Sequence, residues 1–186
     1  DSGSIQYLTV EYAGARLTNE DELNGIAFQG VGSGTEVSYV QVAYNLDDGI
    51  EWFGGTVSAD HVVVTGVGDD SLDWTDGWQG SLQYAIAYPG VSPDMSGDPR
   101  GIEADNRDGD NDKTPFSAPN VSNFTLINSG DSATQQGVLL RRGTRGVIAN
   151  GIVVDWATGL DVDSSQTFTN FDDGTLRIKS LFLDNT

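Results

Sequence analysis

The sequence predicts an all-β protein that folds as a right-handed parallel β-helix, and three observations support this fold class. Two strand-like patterns alternate along the chain, the second recurs at a core period near 22 residues, and Gly is frequent (24 of 186 residues) while Pro is rare (5). Self-similarity at a fixed period of this size is typical of solenoids, in which each coil is one unit and loops absorb differences in length. We therefore expect residues 1–186 to form a single β-helix domain.

The first pattern is an alternating apolar segment of the kind that forms a half-buried strand. It occurs at residues 5–10, 37–42, 61–67, 82–86, 121–126, 147–153 and 176–183. The chain begins almost on one of these segments and ends just after another, so neither end resembles a cap. Because an uncapped solenoid exposes edge strands, we expect the chain to be a segment of a longer solenoid.

The second pattern places Gly or Ser before a short apolar segment. Its copies begin at Gly25, Gly49, Ser71, Gly101, Gly137 and Gly159, with steps of 24, 22, 30, 36 and 22 residues. The two long steps correspond to insertions at 88–100 and 105–120, whose Pro, Gly, Asp and Ser content predicts loops. Helical signals are weak, and only residues 18–22 suggest a short turn.

Alternation along the second pattern predicts which of its side chains enter the core. The inward column includes Trp52 and Trp74, and the column between the inward positions contains Ala27, Glu51, Asp73, Glu103, Leu139 and Asp161. Three successive coils thus stack Glu51, Asp73 and Glu103 in an outward-facing acidic ladder, with strands about 4.8 Å apart. Such a ladder requires a cation, raised pKa values or a nearby Arg, unless the side chains splay apart in solvent.

Composition excludes several classes of function. The formal net charge is −19, and Lys occurs only at Lys113 and Lys179, so the surface repels nucleic acid and anionic membranes. The chain has no apolar run long enough to span a membrane, and it has no Cys for disulfides or thiolate metal sites. The acidity fits either divalent-cation binding or solubility.

A second group of acids lies after the ladder, where Asp and Asn alternate about a Gly over residues 105–112. This composition suits calcium, which takes carboxylate and amide oxygens, although the spacing is not that of an EF-hand. The candidate Ca²⁺ ligands are Asp70, Asp73, Glu103, Asp105, Asp108, Asp110 and Asp112. The alternative is a solvated acidic loop.

Several runs in the chain resemble a family of secreted or surface-anchored bacterial β-helix proteins. The runs are residues 45–56, 67–78, 101–106, 114–115, 140–142 and 159–163. Members of that family are identified as right-handed β-helices with a pectate-lyase-like outline, and many are described only as lipoproteins or hypothetical proteins. The resemblance implies this fold and export to the cell surface or medium, but no established chemistry.

These observations favour a non-catalytic extracellular module that binds Ca²⁺ and serves a structural or adhesive role. We expect contacts with a polysaccharide or another surface protein at Glu51, Phe53, Trp78 and Arg100, with Trp156 as a further exposed aromatic. One alternative is a polysaccharide-active enzyme, of which a calcium-dependent lyase is the favoured kind. Its base would be an Arg or Lys such as Arg100, Arg107 or Lys113. A third hypothesis is end-to-end assembly into a fibre. No residue is assigned a catalytic role.

Overall fold

The computed structural model describes residues 3–17, 23–90, 99–128 and 135–185, and in these ranges the chain forms a parallel β-helix. The strands in chain order are β1 (Gly3–Glu11), β2 (Ile26–Gln29), β3 (Thr35–Ala43), β4 (Ile50–Phe53), β5 (Ser58–Thr65), β6 (Leu72–Thr75), β7 (Ser81–Tyr88), β8 (Ile102–Ala104), β9 (Asn120–Ile127), β10 (Gln136–Leu140), β11 (Gly146–Trp156), β12 (Thr158–Val162) and β13 (Leu176–Asn185). The predicted fold class is therefore confirmed. The turn suggested at residues 18–22 lies outside the described residues.

The two sequence patterns form two separate parallel sheets. Odd-numbered strands make a seven-stranded sheet in the order β1-β3-β5-β7-β9-β11-β13, and even-numbered strands make a six-stranded sheet in the order β2-β4-β6-β8-β10-β12. Each coil contributes one strand to each sheet, so equivalent residues of successive coils lie side by side. The recurring Gly has a steric cause here: a Cβ added to Gly49 would lie 2.6 Å from the carbonyl oxygen of Ser71 in the next coil.

Every strand of the larger sheet has a residue other than Gly in the left-handed region near its middle, which the sequence did not predict. These residues are Tyr7, Tyr39, His61, Tyr84, Asn123, Asn150 and Ser180, with φ between 53° and 57°. The conformation is uncommon for residues other than Gly, and it interrupts the alternation of side chains. As a result, Val37 and Val40 are both buried although they lie three residues apart on either side of Tyr39.

The core lies between the sheets and contains the predicted apolar columns. Trp52 and Trp74 are fully buried, as predicted. The ring of Trp78 also enters the core, where its centroid lies 4.6 Å from that of Trp52 and 5.7 Å from that of Trp74. Its indole N–H donates to the carbonyl oxygen of Val57 at 2.9 Å, so the polar group of Trp78 has a partner inside the core.

One short helix, α1 (Ser165–Asp172), follows β12. Side chains fasten it to the turn after β10: the Gly143 N–H donates to Thr167 Oγ1 at 2.9 Å, and Asn170 Nδ2 donates to the carbonyl oxygen of Gly143 at 2.9 Å. The helix thus depends on tertiary hydrogen bonds, which explains why its sequence shows little helical periodicity. No helix among the described residues is long and apolar enough to cross a membrane.

Candidate functional site

The acidic ladder is present in the predicted register. Glu51 pairs with Asp73, and Asp73 pairs with Glu103, across β4, β6 and β8. The expectation that these side chains face solvent is wrong, because each residue is only 8–9% exposed. Side chains from loops lie over these acids. Asn24 Nδ2, from the loop before β2, donates to Glu51, and Arg100 Nη1, from the loop before β8, donates to Glu103 at 2.7 Å.

Three acids converge at one end of the ladder and form what we call the carboxylate cluster: Asp48, Glu51 and Asp73. One carboxylate oxygen from each lies within 4.8 Å of the others. All three residues are buried, and Asp73 Oδ1 is a buried atom with no hydrogen-bond partner. Among the described residues, no Lys or Arg forms an ion pair with the cluster. The cluster therefore brings three acids together in a desolvated place with no described Lys or Arg within ion-pair distance, although the more distant charge of Arg141 also acts on Asp73.

Burial dominates the electrostatics of the carboxylate cluster. Loss of water raises the pKa of Asp48 and of Asp73 well above the usual range, and the charges of neighbouring acids raise both further. Burial also raises the pKa of Glu51 to about 7, although hydrogen bonds from Asn24 and neighbouring acids partly oppose this change. Near neutral pH the cluster must therefore either retain protons or acquire another positive charge.

At the other end of the ladder, three acids form ion pairs with arginines. We call these acids, Asp70, Glu103 and Asp105, the arginine-paired acids. Arg100 Nη1 lies 3.6 Å from Asp70 Oδ2 and also contacts Glu103. Arg141 bridges Glu103 and Asp105, with its Nε 2.9 Å from Asp105 Oδ1.

Arg142 is a third arginine that pairs with these acids, since its Nη1 lies 2.6 Å from Asp105 Oδ2. Burial still raises the pKa of Glu103, but the charges of Arg141 and Arg100 act in the opposite direction. The arginine-paired acids thus already have their counter-charges, in contrast to the carboxylate cluster.

The structure gathers only part of the predicted ligand set. Asp73 lies in the carboxylate cluster, whereas Asp70, Glu103 and Asp105 are bound by arginines. Asp108, Asp110 and Asp112 are exposed, and Asp108 lies beside Arg142 at 3.5 Å. No group of potential metal ligands among the described residues includes these three loop acids.

The aromatic contact sites require a correction. Trp78 and Trp156 were expected at the surface, but both are fully buried, because their indoles fill the space between the sheets. Phe53 is half-buried at the end of β4. Arg100, expected in an open loop, is buried and held by Asp70 and Glu103.

The candidate Ca²⁺ ligands predicted from the sequence omitted both Asp48 and Glu51, although Glu51 was placed in the ladder. A second group of possible ligands, Asp47, Asp48 and Asp69, shares Asp48. The repeat contained a signal for it: Asp48 precedes Glu51 by three residues, as Asp70 precedes Asp73 one coil later. The two coils are also joined directly, because the Asp70 N–H donates to Asp48 Oδ1 at 3.0 Å.

The sequence model of a family described as the pectate-lyase-like β-helix domain matches residues 1–186. The chain belongs to this family. No curated protein and no solved structure matched the chain. Membership of the pectate-lyase-like β-helix family agrees with the two parallel sheets and supports a polysaccharide-related or structural role.

Proposed function

We propose that this domain is an extracellular β-helix module that serves a structural or adhesive role without catalysis. It binds a divalent cation at the carboxylate cluster, and calcium is the preferred candidate. One observation carries the proposal: Asp48, Glu51 and Asp73 direct carboxylate oxygens to one buried point, and Asp73 Oδ1 has no partner there. An extracellular location fits the family, whose members commonly act outside the cell.

A bound cation would relieve the electrostatic repulsion among the three carboxylates of the cluster. Two unit charges 4.8 Å apart repel by about 3 kcal/mol at an effective dielectric constant of 20. Protonation relieves this repulsion, but at neutral pH it competes with any divalent cation that the three carboxylates can bind. Hard cations prefer oxygen ligands, and calcium completes six to eight ligands with backbone carbonyl groups and water. Asp48, Glu51 and Asp73 would supply the charged part of that set.

Calcium titration followed by thermal unfolding tests the proposal. In the presence of saturating Ca²⁺ we expect a higher Tm than in chelator, since a ligand at about one hundred times its Kd stabilises the folded state by about 2.7 kcal/mol. The matched control is Asp110→Asn, which removes one exposed charge and should preserve the calcium response. Coincident curves for the wild type in calcium, in magnesium and in chelator would exclude a cation site at this cluster.

A polysaccharide-active enzyme is the second candidate, and the pKa of Glu51 favours it. A carboxyl group that titrates at about 7 can transfer protons near neutral pH. The arginine bases that a lyase would use are less suitable here, because the side chains of Arg100 and Arg107 are held in ion pairs with acids. Incubation with neutral and uronate polysaccharides, followed by measurement of new reducing ends and unsaturated products, tests this candidate; a lack of both would eliminate it.

A further inference from the structure

A groove lies on the outer face of the larger sheet, in a different part of the coil from the acids. It encloses about 690 Å³, which is within the range of ligand sites in proteins. Residues from five successive strands of this sheet, β1, β3, β5, β7 and β9, line the groove. It therefore runs along the solenoid axis for about 19 Å, given a strand spacing near 4.8 Å.

One wall of the groove is a stack of rings at the left-handed positions. The ring of Tyr39 stacks on Tyr7 with centroids 4.9 Å apart, and on His61 with centroids 4.4 Å apart. Tyr84 follows at 4.9 Å from His61. The tyrosines of this wall are 46–78% exposed. Because neighbouring rings stack or tilt against one another, these four coils present ring edges and polar groups to the groove, and Asn123 occupies the same position in the fifth coil.

The floor of the groove is mixed in chemistry and uncharged. Ile86 is 49% exposed, while Gln41 and Val63 are half-buried at the equivalent positions of neighbouring coils. Thr9 and Thr125 extend this row. None of the described residues that line the groove is Asp, Glu, Lys or Arg, although the chain carries a net charge of −19. The groove thus has no acidic or basic lining residue apart from His61, whose Nδ1 lies 2.5 Å from the carboxylate of neighbouring Asp60.

We propose that this groove binds a neutral polysaccharide in an extended conformation along the solenoid axis. Hydroxyl and amide side chains suit sugar hydroxyl groups, and the exposed apolar surface of Ile86 and the tyrosines suits the C–H surfaces of the rings. A polymer aligned with the axis would meet a ring in four of the five coils and one floor residue in each coil.

Other occupants fit the groove less well. A peptide cannot add as a strand, because the floor is the face of a sheet whose backbone groups pair with neighbouring coils. A polyanion would be repelled by the net charge of −19, and so would a second copy of this chain. The uncharged lining therefore favours a neutral glycan.

The chain itself suggests substitutions that spare the fold. Asn already occupies the left-handed position at Asn123 and Asn150, so Tyr39→Asn and Tyr84→Asn keep a residue that tolerates this conformation. Thr already occupies the floor row at Thr125, so Ile86→Thr is the matching floor variant. Phe168→Ser is the control, since Phe168 is 53% exposed on α1, outside the groove.

Affinity electrophoresis tests the proposal with dextran, mixed-linkage β-glucan, galactomannan and xylan, and with polygalacturonate as the anionic comparison. We expect at least one neutral polysaccharide to retard the wild type and the control. The double tyrosine variant should bind that polysaccharide roughly tenfold more weakly or worse. Circular dichroism and thermal unfolding would verify that the variants remain folded.

Four results would overturn the proposal. The first three are no retardation by any neutral polysaccharide, equal loss of binding in the Phe168 control, and a groove variant that dissociates a dimer in sedimentation. Binding to polygalacturonate that persists in the groove variants would place the glycan elsewhere and would also overturn it. Chelator should leave binding at the groove unchanged, so the outcome is independent of the cation proposal.

Discussion

Replacement of Asp73 by Asn should change stability in opposite directions with and without calcium. Asp73 lies between Glu51 and Glu103 in the ladder, and its Oδ1 has no partner. In chelator, at a pH alkaline enough to ionise the three acids despite their raised pKa values, the amide removes one of three converging charges, and its N–H can donate to the neighbouring carboxylates. One like-charge pair at 4.8 Å is worth about 3 kcal/mol at an effective dielectric constant of 20. For a chain of this length, that gain corresponds to an increase in Tm of about 6–12 °C.

With saturating calcium, the same variant should lose most of the stabilisation that the ion gives to the wild type, because one charged ligand is missing. The assay is thermal unfolding by circular dichroism in calcium and in chelator at one ionic strength. Asp110→Asn is the control for the change of net charge, and its Tm should differ little from that of the wild type in both buffers.

The reasoning fails if Asp73→Asn leaves the Tm in chelator unchanged or lower, since the cluster would then carry no uncompensated charge. It also fails if the variant retains the full calcium response of the wild type. In that case Asp73 is not a ligand and the ion binds elsewhere.

Three further predictions concern pH, the arginines and the core. In chelator, stability should fall as pH rises from about 4.5 through about 7, because Glu51 has a raised pKa in the folded state; Glu51 alone accounts for up to about 3 kcal/mol. Calcium should abolish that fall, and melts across this pH range would show the sign. Arg141→Ala should destabilise the fold by about 2–4 kcal/mol in urea denaturation, since it leaves buried Glu103 without this ion-pair partner. Arg107→Ala removes an exposed ion pair and should cost less than about 1 kcal/mol. Equal losses of stability in the two variants would contradict this contrast. Trp78→Ala should lower the free energy of unfolding by about 3–5 kcal/mol, because it leaves a cavity in the core. A near-neutral result in the same assay would contradict the burial of Trp78.

The acidic ladder shows what a repeat can and cannot reveal. The spacing from Gly49 to Ser71 to Gly101 was sufficient to place Glu51, Asp73 and Glu103 in register, because parallel coils align equivalent residues. Their burial was not predictable, since it depends on side chains such as Asn24 and Arg100 that reach across from loops. The repeat contains no information about how those loops fold over the sheet.

Trp78 shows a different kind of limit. It lies just after β6 in a segment rich in Gly and Asp, where the sequence favours an exposed turn. The chain instead returns its indole to the core, where it stacks against Trp52 and donates to the carbonyl group of Val57. A single aromatic outside a strand has no periodicity by which its direction could be predicted.

The sequence by itself determined the coil period, the two parallel sheets, the inward columns and the in-register acids, because all of these follow from a repeat of local patterns. Only the tertiary structure decided which acids are compensated. Arg100 and Arg141 contact Glu103, while Asp48, Glu51 and Asp73 converge with no described cationic side chain within ion-pair distance. It also decided the direction of the tyrosines, which stand on left-handed corners that Tyr does not favour. Both outcomes depend on contacts between coils and loops distant in sequence, which no local pattern records.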